Sequence, residues 1–142
     1  MKKILLPLAL FISYIGFSQS EEASIRTTLN QYLEGSSYNN TEMIEKAFYK
    51  EAELFLSKEG QEIWGLSPKE YAALFENRTK GEFNGRETSI LDIDINHTIA
   101  SAKAEIRIES RNMRFIDIFL LKKLSGKWKI ISKAATLLPD EK

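Results

Sequence analysis

An aspartate stands in the middle of a strongly apolar run, Phe115-Ile116-Asp117-Ile118-Phe119. A carboxylate among such neighbours is costly unless a partner compensates its charge. We therefore expect Asp117 to be either paired or held neutral. In a cavity it could bond to a ligand or act as a general acid or base. Alternatively, a neighbouring Arg, Lys or Tyr holds it for structural reasons alone.

A tyrosine is the best candidate partner for this aspartate. Tyr32 shares a helical spacing with Ile25, Leu29 and Leu33, so it lies on the buried side of a predicted helix. A buried tyrosine hydroxyl generally finds a hydrogen-bond partner, and Asp117 could supply it. The alternative is simple core packing, with the hydroxyl at the edge of a cavity.

Four aromatic residues lie around a predicted hairpin and the helix after it: Phe55, Trp64, Tyr71 and Phe75. Such a set could line a pocket for a flat or apolar ligand, although more often it is simply core. We predict that the ligand-binding residues are Tyr32, Phe55, Trp64, Tyr71, Phe75 and Asp117. Asp117 and Tyr32 are also the only candidates for catalysis.

Several other chemistries are excluded by composition. The chain has no cysteine and one histidine, which removes thiol catalysis and the usual zinc sites. His97 lies in an Asn-His-Thr turn, where we expect it to be solvated. Arg107 and Arg114 could attract an anionic ligand if they faced the cavity, but they alternate with charged or outward positions, so we expect them on a solvated or dimer face. We predict no metal and no cofactor.

The beginning of the chain has the pattern of a secretory signal peptide. Lys2 and Lys3 precede an apolar segment from Ile4 to Phe17, and small residues follow it. The segment has about fourteen residues, short of the roughly twenty that a membrane-spanning helix needs. We predict that residues 1–20 are removed, with the cut after Ser18 or Ser20, to leave one domain, 21–142. That domain would be periplasmic or secreted.

The charge balance excludes some partners. The chain has 20 basic and 20 acidic side chains, and the predicted signal peptide takes two of the basic ones. Nucleic-acid and anionic-membrane surfaces need a basic excess on one face. We therefore expect no nucleic acid, and no membrane after cleavage of the signal.

Three helices are predicted in the first half of the domain. The first spans about 21–35, and Asn39-Asn40-Thr41-Glu42 resembles a capping box for a second helix that runs to Ala52. Ser67-Pro68-Lys69-Glu70 combines a serine cap with proline at the first helical position and opens the third.

The second half of the domain has the period of strands. A small hairpin over 53–57 and 61–64 precedes the third helix. Alternating apolar positions then predict four strands, over 88–95, 100–109, 113–124 and 128–135. Three helices covering one face of an antiparallel meander make an α+β domain.

The order of these elements resembles the nuclear transport factor 2-like superfamily and, within it, exported bacterial proteins of the putative lumazine-binding family. The phrases that carry the resemblance include Tyr32-Leu33-Glu34-Gly35, Ser67-Pro68-Lys69-Glu70-Tyr71 and Gly126-Lys127-Trp128-Lys129-Ile130. It implies a cone-shaped, cystatin-like fold, in which a curved antiparallel sheet wraps three N-terminal helices and leaves a cavity at its open end. Such proteins include enzymes and non-catalytic binding domains, so the fold leaves function open.

A more distant resemblance to the ketosteroid isomerases tests for an active site. Their oxyanion hole joins a helix-one tyrosine to a protonated aspartic acid, which match Tyr32 and Asp117. Their catalytic base, however, falls at or beside Leu56, where this chain has no carboxylate. The resemblance thus favours a binding pocket over an active site.

Three hypotheses remain open. The favoured one is an exported binding or accessory domain for a small, partly apolar molecule that Asp117 and Tyr32 orient. The second is an enzyme of isomerase, cyclase or hydrolase type with Asp117 as acid or base. The third is a homodimer or interaction module that uses the outer face of the sheet, where 101–109 alternates in charge.

Overall fold

The computed structural model describes residues 6–139, with side chains from residue 20 onward, and these residues form three α-helices, one short 3-10 helix (Glu109–Arg111) and six strands. The elements are α1 Leu6–Ser37, α2 Thr41–Ala47, β1 Phe48–Lys58, β2 Gln61–Leu66, α3 Pro68–Ala73, β3 Glu87–Asn96, β4 Ile99–Ile108, β5 Met113–Leu124 and β6 Lys127–Leu137. Lys2 and Lys3 of the predicted signal peptide lie outside the described residues. Within 6–139, none of the helices combines the length and apolar character required to cross a bilayer.

The strands form one curved sheet in the order β2-β1-β6-β5-β4-β3. The predicted meander is confirmed, because β3 to β6 are paired antiparallel in sequence. The predicted hairpin is present as β1 and β2, but it joins the same sheet because β1 pairs in parallel with β6. The sheet is therefore six-stranded and mixed rather than wholly antiparallel. By covering β6, β1 satisfies backbone groups that would otherwise form an open edge.

The first helix is longer than the predicted 21–35, because α1 runs without a break from Leu6 to Ser37. The starts of α2 and α3 follow their predicted caps, with one correction. At α3, Ser67 and Glu70 form both bonds of the predicted capping box, and Pro68 follows the cap. At α2 the expected box is absent, and Asn40 alone caps the helix by accepting a hydrogen bond from the N–H of Met43.

The second helix is also shorter than predicted. It ends at Ala47 rather than Ala52, because the backbone becomes extended at Phe48 and Phe48 pairs with Ile130 of β6. Tertiary pairing here overrides a weak helical pattern.

The helices pack against the inner face of the sheet. In β4 the predicted alternation is observed, with buried side chains from Ala100 to Ile108 separated by outward-facing polar ones. On the opposite, outer face, Ile118 and Leu120 of β5 are 42% and 52% exposed. The helix-covered side of the sheet is therefore the one that holds the core and the candidate site.

Candidate functional site

Asp117 lies on the inner face of β5 and is paired. The Nζ of Lys133 donates a hydrogen bond to Asp117 Oδ2 over 2.8 Å, and the hydroxyl of Tyr32 donates to the same oxygen over 2.9 Å. Asp117 and Lys133 are each 2% exposed. A cation and a hydroxyl thus compensate the buried carboxylate.

A bulge in β6 turns Lys133 inward. Trp128 and Ile130 face the core, so strict alternation would place Lys133 on the outer face. Ile131, however, has no partner in the β5 ladder, and this extra residue shifts the alternation by one. Lys133 then lies diagonally across from Asp117, within reach of its carboxylate.

A hydroxyl chain leads from Asp117 toward the surface. The hydroxyls of Tyr32 and Tyr71 are 3.1 Å apart. Since Tyr32 gives its only proton to Asp117, Tyr71 must donate to Tyr32. Burial, together with the negative charge of Asp117, holds the pKa of Tyr32 well above its usual value, so Tyr32 stays protonated. The chain therefore ends at Tyr71, whose hydroxyl keeps its capacity to accept.

A cavity of about 330 Å³ lies beyond Tyr71, at one end of the sheet's inner face. Strand ends, α3 and the segments after α3 and β4 form its wall. Its main apolar lining residues are Leu56, Leu74, Phe75, Ile108, Phe115 and Leu137. Its cationic lining residues are Arg78, Arg86 and Arg111.

The backbone of Arg86 is fixed on both sides. Its N–H donates to Asn84 Oδ1 over 3.2 Å, and its carbonyl accepts from the Ser37 hydroxyl over 2.7 Å. Asn84 in turn donates to the side-chain oxygen of Asn39 over 2.7 Å. Gly85, with φ +91, supplies the left-handed backbone that this approach to β3 requires.

The side chain of Arg86 extends into the region between the cavity and Tyr71. Burial opposes its charge, but the neighbouring Tyr71, Tyr32 and Asp117 outweigh that effect and raise the pKa of Arg86 above its usual value. Its Nε is buried and has no hydrogen-bond partner among the described residues. The site therefore contains a permanent, partly unsatisfied cation.

A family model decides the relationship of this chain to known proteins. The model described as "Putative lumazine-binding" matches residues 20–134. The chain belongs to the putative lumazine-binding family.

Solved structures place this family member in the nuclear transport factor 2-like superfamily. It is similar to a nuclear transport factor 2-like protein of unknown function from Shewanella baltica, with 27% identity, a TM-score of 0.74 and coverage of 85% of this chain and 96% of that one. A second such protein, from Methylobacillus flagellatus, has 30% identity, a TM-score of 0.72 and coverage of 84% and 94%. A domain of unknown function with a cystatin-like fold from Nostoc punctiforme shares the fold, at 19% identity, a TM-score of 0.67 and coverage of 82% and 76%. No curated protein matches the chain.

The six predicted ligand-binding residues of this lumazine-binding family member fall into three groups. Tyr71 and Phe75 line the cavity. Tyr32 and Asp117 lie directly behind Tyr71, outside the lining.

The other two residues lie away from the cavity. Phe55 is 38% exposed, because the alternation that turns Leu54 inward turns its neighbour outward. Trp64 lies on the hairpin, where Lys58 Nζ is 4.4 Å from its ring centroid.

Sequence reasoning missed the cations of this site. Arg107 and Arg114, the arginines it considered, both bond to Glu105 on the outer face, as their alternation predicts. Arg86 falls between the third predicted helix and the strand predicted over 88–95, where nothing in its neighbours marks it as buried. The one usable signal was Asp117, whose position indicated a partner such as Arg, Lys or Tyr; Lys133 and Tyr32 are those partners, and the signal does not extend to the arginines of the cavity.

Proposed function

We propose that this protein is an exported binding domain whose cavity takes a small, partly apolar molecule. The observation that carries the proposal is the cavity of about 330 Å³ with an apolar wall and a few convergent polar groups. Ligand pockets have this character and run from about 300 Å³ upward, so a small ligand fits best. The family description, which names lumazine, supports a small-molecule ligand of this class.

Asp117 and Tyr32 support the site from behind in this proposal. Tyr71 and Phe75 contact the ligand, while Tyr32 and Asp117 fix the hydroxyl of Tyr71 at the cavity wall. A general acid or base must reach the proton that it transfers. Asp117 is nearly inaccessible and its neutralising lysine is enclosed with it, which favours binding over acid–base catalysis.

Export rests on the signal-peptide pattern and on the domain boundary. The family match begins at residue 20, at the end of the predicted signal. Glu21 then accepts hydrogen bonds from Lys123 and from the indole N–H of Trp128, which anchors the start of the domain. Intact mass of the protein from a periplasmic or culture fraction should give a first residue of Gln19 or Glu21; an uncleaved chain would contradict export.

Association through the sheet is part of the same proposal. Ile118 and Leu120 expose apolar area in the middle of the outer face, beside half-buried Ile116. Contiguous apolar surface of this kind marks an interaction site more often than a solvated one. A second copy would cover it.

Ligand binding is tested with the purified domain and lumazine as the probe. Native mass spectrometry should find a co-purified small molecule, or lumazine should raise the melting temperature by mass action. Phe75→Ala, which removes the aromatic wall, should abolish most of this rise, and Leu91→Ala on the exposed side of β3 should not. No co-purified molecule together with no shift from lumazine would contradict the proposal.

A further inference from the structure

The cavity concentrates positive charge in a chain that is otherwise balanced. Arg78, Arg86 and Arg111 line it, and no aspartate or glutamate does so among the described lining residues. Nor is an ion pair formed by any of the three within 20–139, whereas Arg107, Arg114, Lys123 and Lys133 of the sheet each have one. A concave site lined by one sign of charge attracts ligands of the opposite sign.

Among the three arginines of the cavity, Arg86 is the one with a buried donor that lacks an acceptor. A buried donor without an acceptor is costly, and native structures keep few such groups. Its Nε is such a donor, and the guanidinium lines the cavity. The neighbouring Asp117 accepts from Lys133 and Tyr32 through Oδ2, and no hydrogen bond joins it to Nε of Arg86.

The surroundings of Arg86 hold its guanidinium in place for a ligand. The bonds to its N–H and carbonyl fix its backbone. The Cζ of Arg86 is 5.9 Å from the ring centroid of Phe75, and the Cζ of Arg78 is 5.7 Å from the same ring. Two guanidinium groups therefore flank one phenyl ring of the cavity wall. A guanidinium edge presents two parallel N–H groups, which match a carboxylate.

We propose that the cavity binds a small organic carboxylate, with its head on Arg86 and its apolar body against Phe75, Leu74 and Phe115. This inference rests on the proposed binding function and adds the chemical class of the ligand. The two oxygens of a planar carboxylate can accept hydrogen bonds from both parallel N–H groups of one buried guanidinium edge. A phosphate would direct its further oxygens toward the apolar wall, where they would lose their solvation. Arg111 and Arg78, at the exposed rim, draw the anion in and are screened by salt.

The test compares two probes of the same shape, 2-naphthoate and 2-naphthamide, by fluorescence titration of the domain. The wild type should bind naphthoate at least about tenfold more tightly, because a charge-assisted bidentate pair is stronger than a neutral one. Arg86→Gln should lower this ratio to the roughly two- to threefold preference that Arg78 and Arg111 still supply, while naphthamide binding remains. Arg26→Gln, which removes an exposed arginine of α1 paired with Glu22, should leave the ratio at the wild-type value.

Two further variants keep the test decisive if Arg86→Gln folds poorly. Arg111→Gln changes an exposed side chain, so the fold should tolerate it, and the naphthoate preference should fall about two- to threefold. Arg86→Lys keeps the charge but not the two-pronged edge, so it should retain only part of the preference.

The outcomes separate this inference from the function on which it rests. If both probes bind the wild type equally, the cavity is a binding site and the carboxylate inference is overturned. If neither binds and lumazine also fails, the binding function falls, and the inference with it. If inorganic phosphate displaces naphthoate at equal concentration, the head group is a phosphate and the carboxylate assignment is wrong. A ratio unchanged in Arg86→Gln would make Arg86 a merely structural residue.

Discussion

Two charged regions lie on either side of Tyr71. In one the buried charges pair with each other, and in the other a buried cation keeps a donor without a partner. Behind Tyr71, the carboxylate of Asp117 is matched by Lys133 and Tyr32, all nearly inaccessible. In front of it, Arg86 brings a cation to a cavity and leaves its Nε without a partner. Buried charges that pair with each other stabilise the fold, whereas a cation with an unsatisfied donor can still bind a ligand. The residue most conspicuous in the sequence therefore belongs to the support of the site.

The largest expected effect on stability comes from removing the carboxylate of the buried Asp117–Lys133 pair. Asp117→Ala leaves Lys133 as an unpaired buried cation, and we expect the free energy of unfolding to fall by about 3–5 kcal/mol. Urea denaturation followed by circular dichroism measures this change. The double variant Asp117→Leu with Lys133→Met removes both charges and should recover most of the loss. A loss below about 1 kcal/mol in Asp117→Ala would show that Lys133 does not depend on Asp117 to compensate its buried charge.

An intermediate effect is expected along the hydroxyl chain. Tyr32→Phe removes a hydrogen bond to a charged carboxylate and should cost about 1.5–3 kcal/mol of unfolding free energy. Tyr71→Phe removes only a bond between neutral hydroxyls and should cost about 1 kcal/mol. The same urea titrations give both values. If Tyr71→Phe proved the more damaging, the direction of the hydroxyl chain would be wrong.

A smaller effect on stability is expected on the outer face, which belongs to neither region. Ile118→Lys places a charge on a position that is exposed in the monomer, so at protein concentrations too low for association the free energy of unfolding should change by no more than about 0.5 kcal/mol. Light scattering should show a dimer for the wild type and a monomer for this variant. A wild type that is already monomeric would remove the dimer from the proposal.

The smallest effect concerns a partly exposed pair at the start of the domain. The hydrogen bond from Lys123, followed by that from Trp128, lowers the pKa of Glu21 below its usual value near 4.5. A lowered acid contributes stability that is present above its unfolded pKa and lost as the pH falls through its folded pKa. Glu21→Gln should thus lower the melting temperature slightly at pH 7 and make no difference at a pH well below 4.5. If the melting temperatures of the wild type and Glu21→Gln differed equally at both pH values, the charge of Glu21 would play no part in stability. Added salt should weaken the difference at pH 7.

Local signals in the sequence predicted much of this fold. Ser67 to Glu70 carries a cap, a proline and a reciprocal glutamate within four residues, and the structure forms that box. The alternation in β4 needs only the period of two. The hydrogen bond from Tyr32 to Asp117 was expected because both groups require a partner in the core.

Features that depend on long-range register could not be predicted. Lys133 faces inward only because Ile131 interrupts the pairing of β5 with β6, and no local pattern announces such a bulge. Phe48 leaves a helical pattern because β6, far along the chain, pairs with it. Arg86 is buried because Ser37 and Asn84 hold its loop against α1. In each case the deciding partner is distant in sequence.

The central place of β6 in the sheet has a consequence for how the chain folds. β6 is the last of the described strands in chain order and lies between β1 and β5, so neither neighbour can complete its pairing before residues 127–137 are available. Lys133 arrives with that strand, so the carboxylate of Asp117 has no cation to accompany it into the core until then. Folds dominated by such long-range pairing form slowly. A polypeptide with this topology therefore stays open until residues 127–137 have emerged, which is the state that the proposed export requires before the domain closes.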